Sequence, residues 1–282
     1  MDRTALYAAV TARLIDDIED GAATWRMPWN VIAETGAPVN ALTDVAYRGG
    51  NHLYFALVAA SRGWSGRWAT YKQWGQLGAQ VRRGERATQG IKWSVVEDAE
   101  TQQKRMVPFV FSVFESAQVD GWRAPARPEP NDGDREAVAE SFLANTNADI
   151  AHGGNTAAYA PASDRIILPH FEQFLSPLDY YATATHELAH WTGHSSRLDR
   201  DLTGRFGSDS YAAEELVAEI SAAFTCAHLG IAVAPRPDHA AYLKSWLHIL
   251  RADTSAIFHA ASKAQAATDY LVALSDLKEV AA

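Results

Sequence analysis

His186-Glu187-Leu188-Ala189-His190 lies inside an apolar run, and this H-E-x-x-H pattern constrains the chain more than any other feature. Residues four apart share one face of a helix. A helix here therefore brings two imidazoles to one point, where they can grip a metal ion. Glu187, beside the first histidine, can take a proton from a water molecule at that ion and leave a nucleophile at neutral pH. The flanks support the helix. Leu178 to Thr185 supplies good helix formers, and Pro177 sits where a missing N–H does no harm. Ser176 suits an N-cap and Gly193 a helix stop. Two satisfied histidines on a core helix are the plainer alternative.

A catalytic site of this kind needs a third protein ligand and an open position. A metzincin arrangement would place a histidine six residues after His190, but Ser196 stands there. His194 is nearer, yet it falls past the expected helix stop. The stretch Ala212 to Phe224 reads as a second helix with acids in its first turn. Glu215 and Glu219 are four apart and share a face, beside Leu216, Ile220 and Phe224. Burying a carboxylate on an apolar face is costly unless it is paired or coordinated. Glu215 ranks first as third ligand, Glu219 second and Glu214 third. With Glu215 on the metal, Glu219 is placed to hold the other nitrogen of a histidine ligand. Glu214 also fits a solvated acid at the helix start.

This pairing of H-E-x-x-H with a helix bearing E-x-x-x-E resembles the gluzincin metallopeptidases. Asp164 to Pro169 reads as a short strand ahead of the motif helix. Zincin folds often have such a strand beside the cleft, where an extended peptide can pair with it; an ordinary edge strand ending at Pro169 is the plainer alternative.

The chain has 282 residues, 48% hydrophobic and 21% charged, which suits one or two soluble domains. Its one cysteine, Cys226, excludes an internal disulfide and points to a reducing cytosol. Asp2 and the helical spacing of Leu6, Val10, Leu14 and Ile18 disfavour a signal peptide. No apolar run is long enough to span a bilayer, so a cytoplasmic protein without membrane contact is expected.

The net charge of -9 hides an asymmetry. Up to Arg127 there are 15 Lys/Arg against 13 Asp/Glu, whereas 10 face 21 from Pro128 onward. The change falls in the Pro-rich stretch Arg123 to Asp134, read as a linker between residues 1–127 and 128–282. Between Tyr47 and Trp93 eight Lys/Arg face one acid, Glu85, and eight aromatics are interleaved with them. Cations bind phosphates without regard to sequence, and aromatic faces stack on unpaired bases. The window therefore suits single-stranded nucleic acid better than duplex. A core origin competes for some rings: Tyr54 and Phe55 sit in a helix-like run, and Trp68, Tyr71 and Trp74 are spaced as one helix face.

The periodicity predicts an α+β fold in two domains. The first holds helices near 4–18, 51–61 and 71–77, with strands near 91–97 and 107–114. A strand followed by a basic turn is expected over Gln80 to Arg86. The second is mainly helical with a small sheet: a helix near 134–146, a strand pair near 157–168, then helices starting near Leu178, Tyr211, Ala240 and Asp253.

Several stretches together resemble the ArdC antirestriction family, whose first domain also opens TraC-type primases. They are Pro28-Trp29-Asn30, Tyr47 to Asn51, Trp68 to Trp74, Val81 to Glu85, His186 to His194, Ser196 to Arg200 and Glu214 to Glu219. The resemblance runs along nearly the whole chain. It implies single-stranded DNA binding by the first domain and a zincin, SprT-like fold in the second. It also implies protection of incoming conjugative DNA from restriction enzymes, without a primase domain. The candidate DNA contacts are Arg48, Asn51, Arg67, Trp68, Tyr71, Lys72, Trp74, Arg82, Arg83, Arg86 and Lys92. The candidate metal set is His186, His190 and Glu215 around zinc or another divalent ion, with Glu187 as proton acceptor. A protease acting on DNA-bound proteins, and a DNA-binding module with a relic zinc site, are the alternative functions.

Overall fold

A computed structural model describes residues 3–21, 29, 32–33, 36–97, 104–125, 132–204, 208–231 and 239–275. Trp25, Pro28, Asn30 and the middle of the expected linker, residues 126–131, lie outside the described residues.

The first part opens with α1 (Arg3–Gly21) and continues through β1 (Val39–Asn40), α2 (Gly49–Ser61), β2 (Arg67–Ala69) and α3 (Tyr71–Gln76). Then come β3 (Gln80–Val81), β4 (Thr88–Glu97), β5 (Lys104–Glu115) and β6 (Val119–Asp120). The main sheet has the order β1-β2-β5-β4, and β3 pairs with β6 separately. Phe55, Val58 and Ala59 of α2 cover one face of the sheet, packing on Trp68 and Val113.

β4 is an edge strand, and its exposed backbone needs partners. Asn51 supplies them at one point: its Nδ2 donates to the Ile91 carbonyl at 2.7 Å and its Oδ1 accepts the Ile91 N–H at 2.9 Å. Beyond this point β4 and β5 run on as a two-stranded ribbon that β2, paired only at Phe114 and Glu115, does not reach. Trp93, Val95, Met106 and Phe109 are exposed there. The alternation around Trp93 suggests a strand with one buried face, but this part of the ribbon is solvated on both.

The second part contains α4 (Asp132–Asn145), β7 (Asp149–His152), β8 (Ala158–Ala160) and β9 (Arg165–Leu168), followed by four helices. These are α5 (Pro177–Thr192), α6 (Asp209–Leu229), α7 (His239–Ala252) and α8 (Ala256–Ser275). The sheet order is β7-β9-β8. The strand read at Asp164–Pro169 is therefore central, and β8 is an edge; this corrects the expected edge position of Asp164–Pro169. Periodicity shows that a stretch is extended, but the order of strands depends on pairing across the sheet.

α5 begins as its sequence suggests, with Ser176 Oγ accepting the Asp179 N–H at 3.2 Å and Pro177 at the first helical position. It ends at Gly193, whose φ of -76° and ψ of -10° are ordinary right-handed values. This glycine is not a left-handed cap. Its role lies in the space beside it, where a Cβ would stand 2.9 Å from Arg200 Nη2.

The two parts share a core. Leu14, Ile18, Leu53 and Leu57 from the first pack with Leu216, Ile220, Phe224, Trp246 and Leu250 from the second. Each such side chain contributes on the order of 1.5–3 kcal/mol when fully buried, so the halves hold each other in place. Among the described residues no helix is long and apolar enough to cross a membrane.

Candidate metal centre and DNA-facing surface

α5 and α6 pack side by side, and this contact assembles the site. The four-residue spacing on α5 turns His186 and His190 the same way, with their Nε2 atoms 3.2 Å apart. α6 delivers Glu215 opposite them: Oε2 is 3.6 Å from His186 Nε2 and Oε1 is 3.4 Å from His190 Nε2. Two nitrogens bound at the usual zinc distance in a tetrahedron lie about 3.3 Å apart. The spacing and the N,N,O donor set therefore fit a divalent ion, and the three donor groups converge within 4.8 Å.

The far nitrogens are also occupied. His186 Nδ1 faces Glu219 Oε1 at 3.2 Å, and His190 Nδ1 faces Glu214 Oε1 at 3.3 Å. Glu219 thus meets the ring on the side away from Glu215. The solvated role considered for Glu214 is corrected: its side chain is only 10% exposed and Arg200 grips it. Helical spacing brought Glu215 and Glu219 to notice because they are four apart. Glu214 projects elsewhere on α6, and a loop residue, Arg200, determines its surroundings. His194, considered as a third ligand, instead bonds Ser196 Oγ through Nδ1 at 2.8 Å.

The electrostatics follow from burial among charges. Burial opposes charge on His190, but hydrogen bonds to Glu214 and Glu215 and the nearby carboxylates outweigh it and push its pKa up to about 10. Burial likewise opposes charge on Glu215, yet His186 and His190 hold its carboxyl well below the usual range. Such a cluster of acidic carboxylates around imidazole is prepared for a cation. The cleft in front of it has a volume of about 360 Å³ and is lined by Glu187, Tyr211, Ala157 and the β8 edge residues Ala158 and Tyr159.

The candidate DNA residues divide sharply. Trp68 and Trp74 are fully buried, and Trp74 Nε1 donates to the Phe114 carbonyl at 2.9 Å. Neither ring offers a face for stacking, which corrects the expectation for both. Their spacing by three is not one helix face either, because Trp68 lies on β2 and Thr70 caps a helix that starts at Tyr71. Asn51 is committed to the β4 edge, as described above. Arg67 is 13% exposed along its side chain and pairs with Asp44 at 2.7 Å. Arg48 is exposed and paired with Asp269 of α8. Arg82 bonds Glu85 at 2.9 Å. Tyr71, Lys72, Arg83, Arg86 and Lys92 are exposed. Trp93, left off the candidate contacts because its strand alternation suggested burial, is 44% exposed on the opposite face of β4 from Lys92.

Comparison with known proteins agrees with this two-part layout. Residues 4–125 match the family described as the N-terminal domain of anti-restriction factor ArdC, and residues 137–263 match zincin-like metallopeptidases. The chain is 42% identical to an uncharacterised protein, y4eC, of Sinorhizobium fredii, over 95% of this chain and 92% of that protein. A DNA primase TraC of Escherichia coli is 39% identical across 95% of this chain, but the match spans only 20% of the primase. The Mn(II)-bound crystal structure of the antirestriction ArdC protein from the R388 plasmid superposes with a TM-score of 0.81. It is 35% identical and covers 99% of this chain and 100% of that one. The metal-free form of the same protein gives a TM-score of 0.79 at 37% identity, covering 96% of this chain and 97% of that one.

Proposed function

The chain belongs to the ArdC antirestriction family, and on that premise we propose that it acts in the cytoplasm on single-stranded DNA. Its first domain grips the strand while its second holds a divalent ion, and the pair protects incoming conjugative DNA from restriction. The observation that carries the DNA reading is the coincidence of exposed cations with exposed rings on the first domain. Lys72 adjoins Tyr71, Lys92 pairs across the ribbon with the exposed Phe109, and Arg83 and Arg86 lie in the turn after β3. The second part is net acidic, which repels phosphates and favours keeping the strand on the first.

His186, His190 and Glu215 are the proposed metal ligands. The relative's Mn(II) makes manganese as credible an occupant as zinc. Fluorescence anisotropy of the full chain with a short single strand and its duplex, across a salt series, tests the DNA reading. Tighter, salt-sensitive binding of the single strand is expected; equal affinity for both forms would overturn it.

A hydrolytic role is a second reading, favoured by Glu187 and the β8 edge lining one cleft. A bound divalent ion would supply Lewis acidity toward a peptide carbonyl. Glu187 would accept the proton from the attacking water. β8 offers backbone groups on which an extended peptide, for instance from a DNA-bound protein, can be aligned. Loss of antirestriction in Glu187→Gln with metal still bound would support this role. An unchanged phenotype would leave the metal as a structural or relic feature.

A further inference from the structure

We infer that Arg200 is a positioning residue for the metal centre, acting on His190 through Glu214. This rests on the proposal that His186, His190 and Glu215 hold a divalent ion.

Arg200 lies in the loop after α5, eight residues beyond the end of that helix, yet its side chain is only 6% exposed. Its guanidinium forks onto the Glu214 carboxylate: Nη2 donates to Oε1 at 2.8 Å and Nε to Oε2 at 3.0 Å. Two further bonds fix the fork, from Nη1 to Thr192 Oγ1 at 2.8 Å and from Nη2 to the Ala189 carbonyl at 2.6 Å. The buried cation is tolerable because its donors are met. The carboxylate it holds has one further neighbour in the ring of His190, where Oε1 stands 3.3 Å from Nδ1. A carboxylate clamped there favours the proton on Nδ1. In the neutral ring that metal ligation requires, this leaves the Nε2 lone pair aimed at the point where His186 and Glu215 converge. Gly193 completes the fit, since its missing Cβ leaves room for Nη2.

The competing role is a helix cap. Arg200 also bonds the last turn of α5, and a cation there is favourable without any reference to the metal. The two roles predict different couplings. If Arg200 works through Glu214, removing it matters only while Glu214 is present.

The test is a double-mutant cycle on metal affinity. Mn(II) and Zn(II) dissociation constants of the full chain are measured by competition with a chelating dye, for wild type, Arg200→Ala, Glu214→Ala and the double variant. Each single substitution is expected to weaken binding about 10–100-fold, and the double variant to be no weaker than Glu214→Ala. Arg200→Lys, which keeps the charge but loses the fork, should fall between wild type and Arg200→Ala and guards against a folding defect. Additive losses, or wild-type affinity in Arg200→Ala, would overturn the inference. If His190→Ala binds metal as tightly as wild type, the metal reading itself fails, and that outcome is separate from the others.

Discussion

His52 lies flat on Phe224, with ring centroids 3.9 Å apart and planes 4° from parallel. His52 belongs to α2 in the first part, and Phe224 to the helix that also carries Glu215 and Glu219. The first part is thus stacked directly onto the helix that carries the candidate metal ligand Glu215.

This stack predicts a pH dependence. Burial pushes His52 down from 6.5 to about 3, against a hydrogen bond donated by the ring to Gln265 that favours the charged form. The folded protein keeps the ring neutral, so between those two values the unfolded chain binds the extra proton. Stability therefore falls as pH drops from about 6.5 toward 3. His52→Phe should flatten the melting temperature over that range relative to wild type; parallel profiles would contradict the burial argument.

Metal removal should destabilise the second part. An ion that binds only the folded form adds about 2.7 kcal/mol at a hundredfold excess over its dissociation constant. Chelation is expected to lower the melting temperature of wild type and to leave His186→Ala and His190→Ala unchanged. Glu187→Gln should keep the metal-dependent shift.

Buried and exposed aromatic residues should separate by assay. Trp68→Ala or Trp74→Ala removes a fully buried ring and should cost about 3–5 kcal/mol in denaturant unfolding. Tyr71→Ala and Trp93→Ala should leave stability nearly intact. Each should weaken single-strand binding by about 1–3 kcal/mol if a base stacks on it. Measuring both assays on all four variants checks the division.

Gly90→Ala should destabilise the first part. A Cβ there would stand 2.5 Å from Phe111 Cζ and 2.7 Å from Phe55 Cζ, between β4 and the core. Overpacking of this kind costs about 1–3 kcal/mol. Urea unfolding should show the loss while metal affinity stays at the wild-type value.

The sequence by itself determined the α+β character, the two-part organisation and the helices that carry the site. His186, His190, Glu215 and Glu219 were legible because each pair is four apart on one helix. That spacing is a local geometric fact needing no knowledge of the rest of the fold. The interleaved cations and rings were also legible as a window, but not which rings are available. Trp68 and Trp74 look like Tyr71 in the sequence, and only packing decides that they are core: Phe55 and Val113 cover Trp68, while Val81, Val119 and Phe114 cover Trp74. The position of β8 at the cleft edge, the shared core of Leu14, Leu53, Leu216 and Trp246, and the clamp of Arg200 on Glu214 came from tertiary structure alone. Each of these depends on contacts between distant segments, and periodicity reports only what neighbouring residues along one element share.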